Sequence, residues 1–264
     1  LKRVISIATS DSGAGAGIQA DLKAFLRCGV YGTTAIVATT AQNTVGVTGV
    51  HALPPEVAVE QIEAIASDIG ADAVKSGMLF NAGIISAVAE AVERLGLPNL
   101  VVDPVMVAES GATLLEPGAV ETYKQELFSL ATVITPNLNE AFALLDEKVD
   151  EDRVEDCAVT LHALGPKAVV ITGGHTASGD DLLYDGEGFT RIGGPVHPSE
   201  NTHGAGCTHS SALASFLARG FDLEEAAQRA RAVASEAVEY GLGGIGDGAG
   251  PVHALGKLLE GAER

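Results

Sequence analysis

Residues 3–43, RVISIATSDSGAGAGIQADLKAFLRCGVYGTTAIVATTAQN, carry the pattern that decides the fold. A β-branched run, RVISIAT, enters a glycine-rich turn; GIQADLKAFLRCG then places apolar residues at helical spacing, and GTTAIVATTA is a second β-branched run. The order strand, turn, helix, strand is the repeating piece of a mainly parallel sheet. It continues down the chain. A helix is predicted after Pro54 and Pro55, then the run DAVKSGM, a helix in AGIISAVAEAVERLG, the run NLVVDPV and a helix after Pro117. ATVITPN leads into LNEAFALLDE, and EDCAVTLHALG into KAVVITGG. Runs that are apolar throughout mark strands covered on both faces. The expected fold is therefore α/β, a single domain over residues 1–264. The rhythm is expected to break once, at DLLYDGEGFTRIGG, which alternates around a glycine-rich turn like a hairpin. Two helices are expected to close the chain. No internal repeat and no Pro, Gly or Ser-rich linker marks a boundary.

Composition narrows the function. The 264 residues are 46% hydrophobic and include 32 glycines, enough for one large α/β domain. With 35 acidic against 16 basic residues the formal charge is −19, which argues against a nucleic-acid backbone or an anionic membrane as partner. The acids scatter through predicted helices such as DLEEAAQRARAVASEAVE, as on a solvated surface. Three cysteines, Cys28, Cys157 and Cys207, are an odd number without metal-ligand spacing, so neither a disulfide framework nor a zinc site is indicated. No signal peptide or spanning segment is evident, and the expected location is the cytoplasm.

In open sheets of this class ligands bind beyond the carboxyl ends of the strands, so the residues after each run are the ones to weigh. Gly13, Gly15 and Gly17 run G-x-G-x-G, not G-x-G-x-x-G, and the second run ends in Gln42 instead of an acid. That excludes a dinucleotide fingerprint; the absence of G-K-[ST] excludes a P-loop. Residues 201–212, NTHGAGCTHSSA, precede a helical pattern that stops at Gly220. Small residues at a helix start expose N–H groups to an anion, and a helix N-terminus lowers a thiol's pKa towards neutral, which makes Cys207 a candidate proton acceptor. Asp103, Asn137 and Glu140 close two successive runs and offer the hard oxygens that a hydrated magnesium ion beside a polyphosphate needs. Asn137 and Glu140 equally have the spacing of a helix capping box, and both roles are compatible.

Taken together and in order, GAGIQADLKAF (15–25), YGTTAIVATTAQNTVGV (31–47), KSGML (75–79), VVDPVMVAESG (101–111), ITPNLNEA (134–141), GGH (173–175), NTHGAGCTHSSALA (from 201) and GPVHAL (250–255) resemble the ribokinase-like family of small-molecule kinases. Within it they resemble the hydroxymethylpyrimidine/phosphomethylpyrimidine kinases of thiamine biosynthesis. The resemblance covers almost the whole chain. It implies a ribokinase-like three-layer sandwich and two successive ATP-dependent phosphorylations, of an aminopyrimidine alcohol and of its monophosphate. It implies that Asp21 and Gln42 bind the polar edge of the pyrimidine while Met78 and Val105 pack on its ring. Gly204, Ala205 and Gly206, with Cys207, would present N–H groups to the phosphoryl group, and Cys207 would take the proton of the attacking hydroxyl. Asn137, Thr172, Gly174 and Thr202 would bind ATP, with Asp103 and Glu140 organising Mg2+. The expected assembly is a homodimer. Departures stand at Thr172, where the family usually has lysine, at Glu109, where lysine is common, and at Thr9 and Ala14, which replace glycines. Potassium or Lys75 is placed to compensate for the missing cation. Two other readings share the pattern, a pyridoxal kinase and a pyrimidine-binding protein with weak phosphoryl transfer; a nicotinamide oxidoreductase is disfavoured by the glycine spacing.

Overall fold

The structure is a computed structural model that describes residues 1–107, 111, 114–116, 118–174 and 179–259. Glu109, Pro117 and His175 lie outside them. The chain opens with β1 (Arg3–Asp11), α1 (Gly17–Arg27), β2 (Tyr31–Asn43), β3 (Gly46–Ala52), α2 (Pro55–Asp68), β4 (Ala73–Ser76), α3 (Ala82–Arg94) and β5 (Leu100–Val102). It continues with α4 (Ala119–Thr122, extended by π and 3-10 turns to Leu130), β6 (Val133–Ile134), α5 (Leu138–Leu144), α6 (Val154–His162) and β7 (Val169–Ile171). It closes with β8 (Asp181–Tyr184), β9 (Phe189–Ile192), α7 (Ala205–Ala218), α8 (Leu223–Glu239) and the short α9 (Gly256–Leu259).

Among the described residues nine strands join one sheet in the order β3-β2-β1-β4-β5-β6-β7-β8-β9. β2, β1, β4, β5, β6 and β7 run parallel; β3 at one edge and β8 near the other run against them, and β9 pairs antiparallel with β8. Val4, Ile5 and Ile7 of β1 and all of β5 are buried, as continuous apolar runs require. The core divides by sheet face. Ile62, Ile84, Val88, Phe142 and Leu161 bring α2, α3, α5 and α6 onto one face. Phe25, Leu213 and Ala230 bring α1, α7 and α8 onto the other. Starts are capped locally: Asn81 accepts from Ile84 N at α3 and Asp222 from Glu225 N at α8.

Two expectations change. The rhythm breaks twice, because β2 runs on and folds back as β3. The turn is made by the Asn43 side chain, whose Oδ1 accepts from Val45 N and Gly46 N. β3 is an edge strand that is half-buried or exposed throughout, so it lacks the apolar alternation that would mark it. A third helix, α9, follows the two expected at the end.

Candidate active site

The chain leaves β1 to one side for β2 and returns on the other side at β4, so the topological switch point lies between β1 and β4. A cavity of about 360 Å³ opens there. Gln42, Met78 and Val105 line one part of it; Asp103 and Glu140 lie on its walls; Asn137, Thr172, Gly174 and Thr202 line another part, and Gly204 through Cys207 close it. Asn137 and Thr172 meet in a single parallel bridge, with Thr172 N donating to Pro136 O. Thirteen of the fourteen residues singled out in the sequence thus share one wall system; Asp21 does not.

Asp21 is fully buried on the inward face of α1. It accepts from Lys75 Nζ at 2.9 Å, Ser211 Oγ at 2.8 Å and Ser6 Oγ at 2.5 Å. Its carboxylate is held from inside the protein by three donors and stands off the cavity wall that Gln42 and Met78 line, so nothing in the cavity places it against the expected pyrimidine. Lys75, an ammonium with no exposure at all, also stands 3.8 Å from Asp103 Oδ2. Burial works against its charge, but Asp21, Cys207 and Asp103 outweigh burial and hold its pKa above the ordinary lysine value. The acid is the support of the floor, and the lysine is the floor's charge.

Gly204 is the N-cap of α7 at φ 88, and a Cβ there would lie 1.9 Å from Gly15 O. Only glycine fits, because the first glycine loop and the α7 loop press backbone to backbone. Ala205 N donates to Thr202 O, so it is used by the loop's own turn and is withdrawn from the expected anion donors. Gly206 N and Cys207 N, in the first helical turn, have no intrahelical acceptor. The helix end does not make the Cys207 thiol acidic: burial pushes it up to about 12, with Lys75 pulling the other way. That overturns the expectation of a near-neutral cysteine, since loss of water outweighs the helix dipole here.

The first glycine loop is not an anion site either. Gly13 N, Gly15 N and Ala16 N all donate to the carboxylate of Asp11, and His203 Nε2 lies 3.4 Å from it. The chain's own anion fills the loop.

This geometry has close relatives. The sequence matches the family described as phosphomethylpyrimidine kinase over residues 11–253. The chain belongs to that family. A hydroxymethylpyrimidine/phosphomethylpyrimidine kinase of Bacillus subtilis is 44% identical over 257 residues, 96% of this chain and 94% of the relative. A thiamine biosynthesis bifunctional protein of Geobacter sulfurreducens is 46% identical over 255 residues, 96% of this chain; the chain spans only 52% of that longer relative. Among solved structures, an ADP complex of a Bacillus subtilis pyridoxal kinase superposes with a TM-score of 0.91 at 35% identity, covering 98% of this chain and 100% of the other. The fold is ribokinase-like and the protein is a phosphotransferase.

In this phosphomethylpyrimidine kinase family member the capping box is real. Asn137 Oδ1 accepts from Glu140 N, and Glu140 Oε2 accepts from Asn137 N. The cap turns Glu140 inward, where burial first and Asp103 second push its carboxyl up to about 8. Asp103 is raised too, by burial, against the pull of Lys75 and a 2.9 Å bond from Ser210 Oγ. Two neighbouring acids that resist ionising together fit a cation held partly through water, since magnesium needs only one or two carboxylates. Among the described residues there is no group of three or more His, Cys, Asp or Glu that could hold a metal ion. Between pH 4.5 and about 8 the unfolded chain releases the Glu140 proton while the folded protein keeps it, so stability falls as pH rises through that window. Glu140→Gln keeps the cap, because glutamine serves at the third helical position, and removes the proton. The variant's melting temperature should decline less than the parent's across that pH range; parallel curves would show that Glu140 ionises normally.

Thr9 lines the cavity and donates to Met78 O, fixing the backbone at the methionine. Ala14 sits at φ 59, a conformation easier for the glycine it replaces. Sequence reasoning missed Asp11, Asp181, His203, His209 and Arg231, all on the cavity wall. His209 alone left a signal, as a polar residue in the apolar pattern of α7.

Proposed function

We propose that this protein transfers the γ-phosphoryl group of ATP to the hydroxyl of 4-amino-5-hydroxymethyl-2-methylpyrimidine, and a second one to the resulting monophosphate, in thiamine biosynthesis. The observation that carries this is the placing of Cys207, Lys75 and the open N–H groups of α7 in the same cavity as Gln42, Met78 and Val105. The relatives named for that activity are 44% identical, against 35% for the pyridoxal kinase, which supports the pyrimidine over the pyridine ring.

Gln42 offers an amide to the ring's polar edge, and Met78 and Val105 hold its faces. The hydroxyl oxygen bonds to the γ-phosphorus as the bond from that phosphorus to the β-bridging oxygen breaks, ADP leaves, and the hydroxyl proton passes to Cys207 Sγ. Gly206 N and Cys207 N stabilise charge on the equatorial oxygens, which is what a loose phosphoryl transition state asks of a protein. Asn137, Thr172, Gly174 and Thr202 face the nucleotide. Mg2+ would be held by Asp103 and Glu140 through water and would neutralise the β- and γ-phosphates; potassium is a further source of positive charge, while Lys75 is already paired with Asp21 and Asp103. The protein would act as a homodimer in the cytoplasm. No helix among the described residues is long and apolar enough to cross a membrane.

The test offers the hydroxymethylpyrimidine, its monophosphate and pyridoxal in parallel with ATP, magnesium and potassium, and resolves products by mass. Pyrimidine mono- and diphosphate together support the reading. Pyridoxal phosphate as the dominant product transfers it to the second reading, which the 0.91 superposition on a pyridoxal kinase favours. Binding of the pyrimidine without any turnover defeats both.

A further inference from the structure

One side of the cavity contains buried polar groups that the phosphoryl-transfer machinery leaves unexplained. His209 projects from the second turn of α7 with a side chain only 4% exposed, and neither ring nitrogen has a hydrogen-bond partner. Its Nε2 is 3.1 Å from Asp181 Oδ2, at ion-pair distance but without hydrogen-bond alignment. Arg231 reaches the same carboxylate from α8, with Nε 3.7 Å from Asp181 Oδ1 and Nη2 donating to Gly179 O at 2.9 Å. Arg231 Nε and Asp181 Oδ2 are also without hydrogen-bond partners. The other oxygen of Asp181 accepts from Gly173 N at 2.8 Å, which places this group one residue from Thr172.

Buried polar atoms left unsatisfied are costly, so several of them gathered on a ligand cavity are accounted for when a ligand completes them. The sign of the missing partner follows from the donors. Arg231 Nε and a ring N–H of His209 are donors that the single carboxylate does not align with, and the guanidinium carries a fixed positive charge, so the group is short of an acceptor. An anion is the complement. Lys75 cannot supply that charge, because Asp21 and Asp103 already hold it.

We propose that His209 and Arg231, held by Asp181, are the residues that position the nucleotide's polyphosphate in this protein, from the wall beside Thr172. Asp181 orients both donors and limits their charge while the cavity holds no nucleotide. A polyphosphate entering past Thr172 takes over His209 and the free Nε of Arg231, and the interaction depends on the phosphates and not on the adenine.

This inference rests on the kinase reading, and the experiment separates the two. The intact protein and its His209→Gln and Arg231→Gln variants are titrated calorimetrically with adenylyl imidodiphosphate, ADP and adenosine, with a thermal melt of each variant. Each variant should bind adenylyl imidodiphosphate about tenfold more weakly, as expected for one charge-assisted bond, while adenosine affinity stays within about twofold. Adding Thr172→Lys to His209→Gln should recover most of the lost affinity. Equal weakening for adenosine and the imidodiphosphate, or no weakening in either variant, overturns the proposal, and two variants on two helices keep it testable if one does not fold. Binding of none of the three ligands by the intact protein defeats the ATP reading itself, and this inference falls with it.

Discussion

Lys75→Met lowers the free energy of unfolding by about 3–5 kcal/mol, the cost of breaking a buried ion pair from one side. The ammonium it removes has no exposure and serves Asp21 at 2.9 Å and Asp103 at 3.8 Å. Methionine fills the volume and leaves two carboxylates facing each other in the floor. Urea unfolding at neutral pH measures the loss. The double variant Lys75→Met with Asp21→Asn should lose clearly less than Lys75→Met alone, because the second change removes the stranded charge and keeps a partner for Ser6 and Ser211. Activity should stay absent in both, since Cys207 and Asp103 have lost the cation that faces them. A single variant within about 1 kcal/mol of the parent would mean that the lysine is dispensable to the floor.

Cys207→Ala lowers kcat by about 10²–10⁴-fold, the usual contribution of a positioned general base, with little change in the KM of either substrate. The free thiol is held at about 12 by burial, so the ionised fraction is small near neutrality. It grows tenfold for each pH unit below that value. The logarithm of kcat in the parent should therefore climb with unit slope through the weakly alkaline range, and the slope should vanish in Cys207→Ala. Cys207→Asp replaces the thiol with a group ionised at neutral pH and paired with Lys75; it should recover part of the rate without the slope. Turnover of Cys207→Ala within about threefold of the parent would place the base elsewhere and reduce Cys207 to a packing residue.

Much of the site was legible because the strands end where apolar runs end. NLVVDPV and ATVITPN put Asp103, Asn137 and Glu140 at successive carboxyl ends, and the structure finds all three on one cavity. The capping box was legible for the same reason, since its logic spans only four residues. Two signals were present and underread. Asp21 falls with Ile18, Ala24 and Phe25 on the buried face of α1, so an inward carboxylate needing an internal cation was readable from helical spacing. Lys75 is a charge inside a buried strand, which calls for an acid beside it.

By itself the sequence determined the mainly parallel sheet and the set of strand-end residues, because burial on both faces forces continuous apolar runs whose ends are visible; the strand order that places the switch point came from the structure. Tertiary structure alone decided how those residues are partnered. Asp21 finds its cation in Lys75 of β4, Asp11 fills the first glycine loop, and the Cys207 thiol is pushed up against the pull of Lys75, because each outcome depends on elements far apart in the chain. The same holds for β3 and for Asp181, His209 and Arg231, brought together from β8, α7 and α8. Local spacing encodes which way a segment folds; desolvation and pairing between segments exist only once the layers have closed.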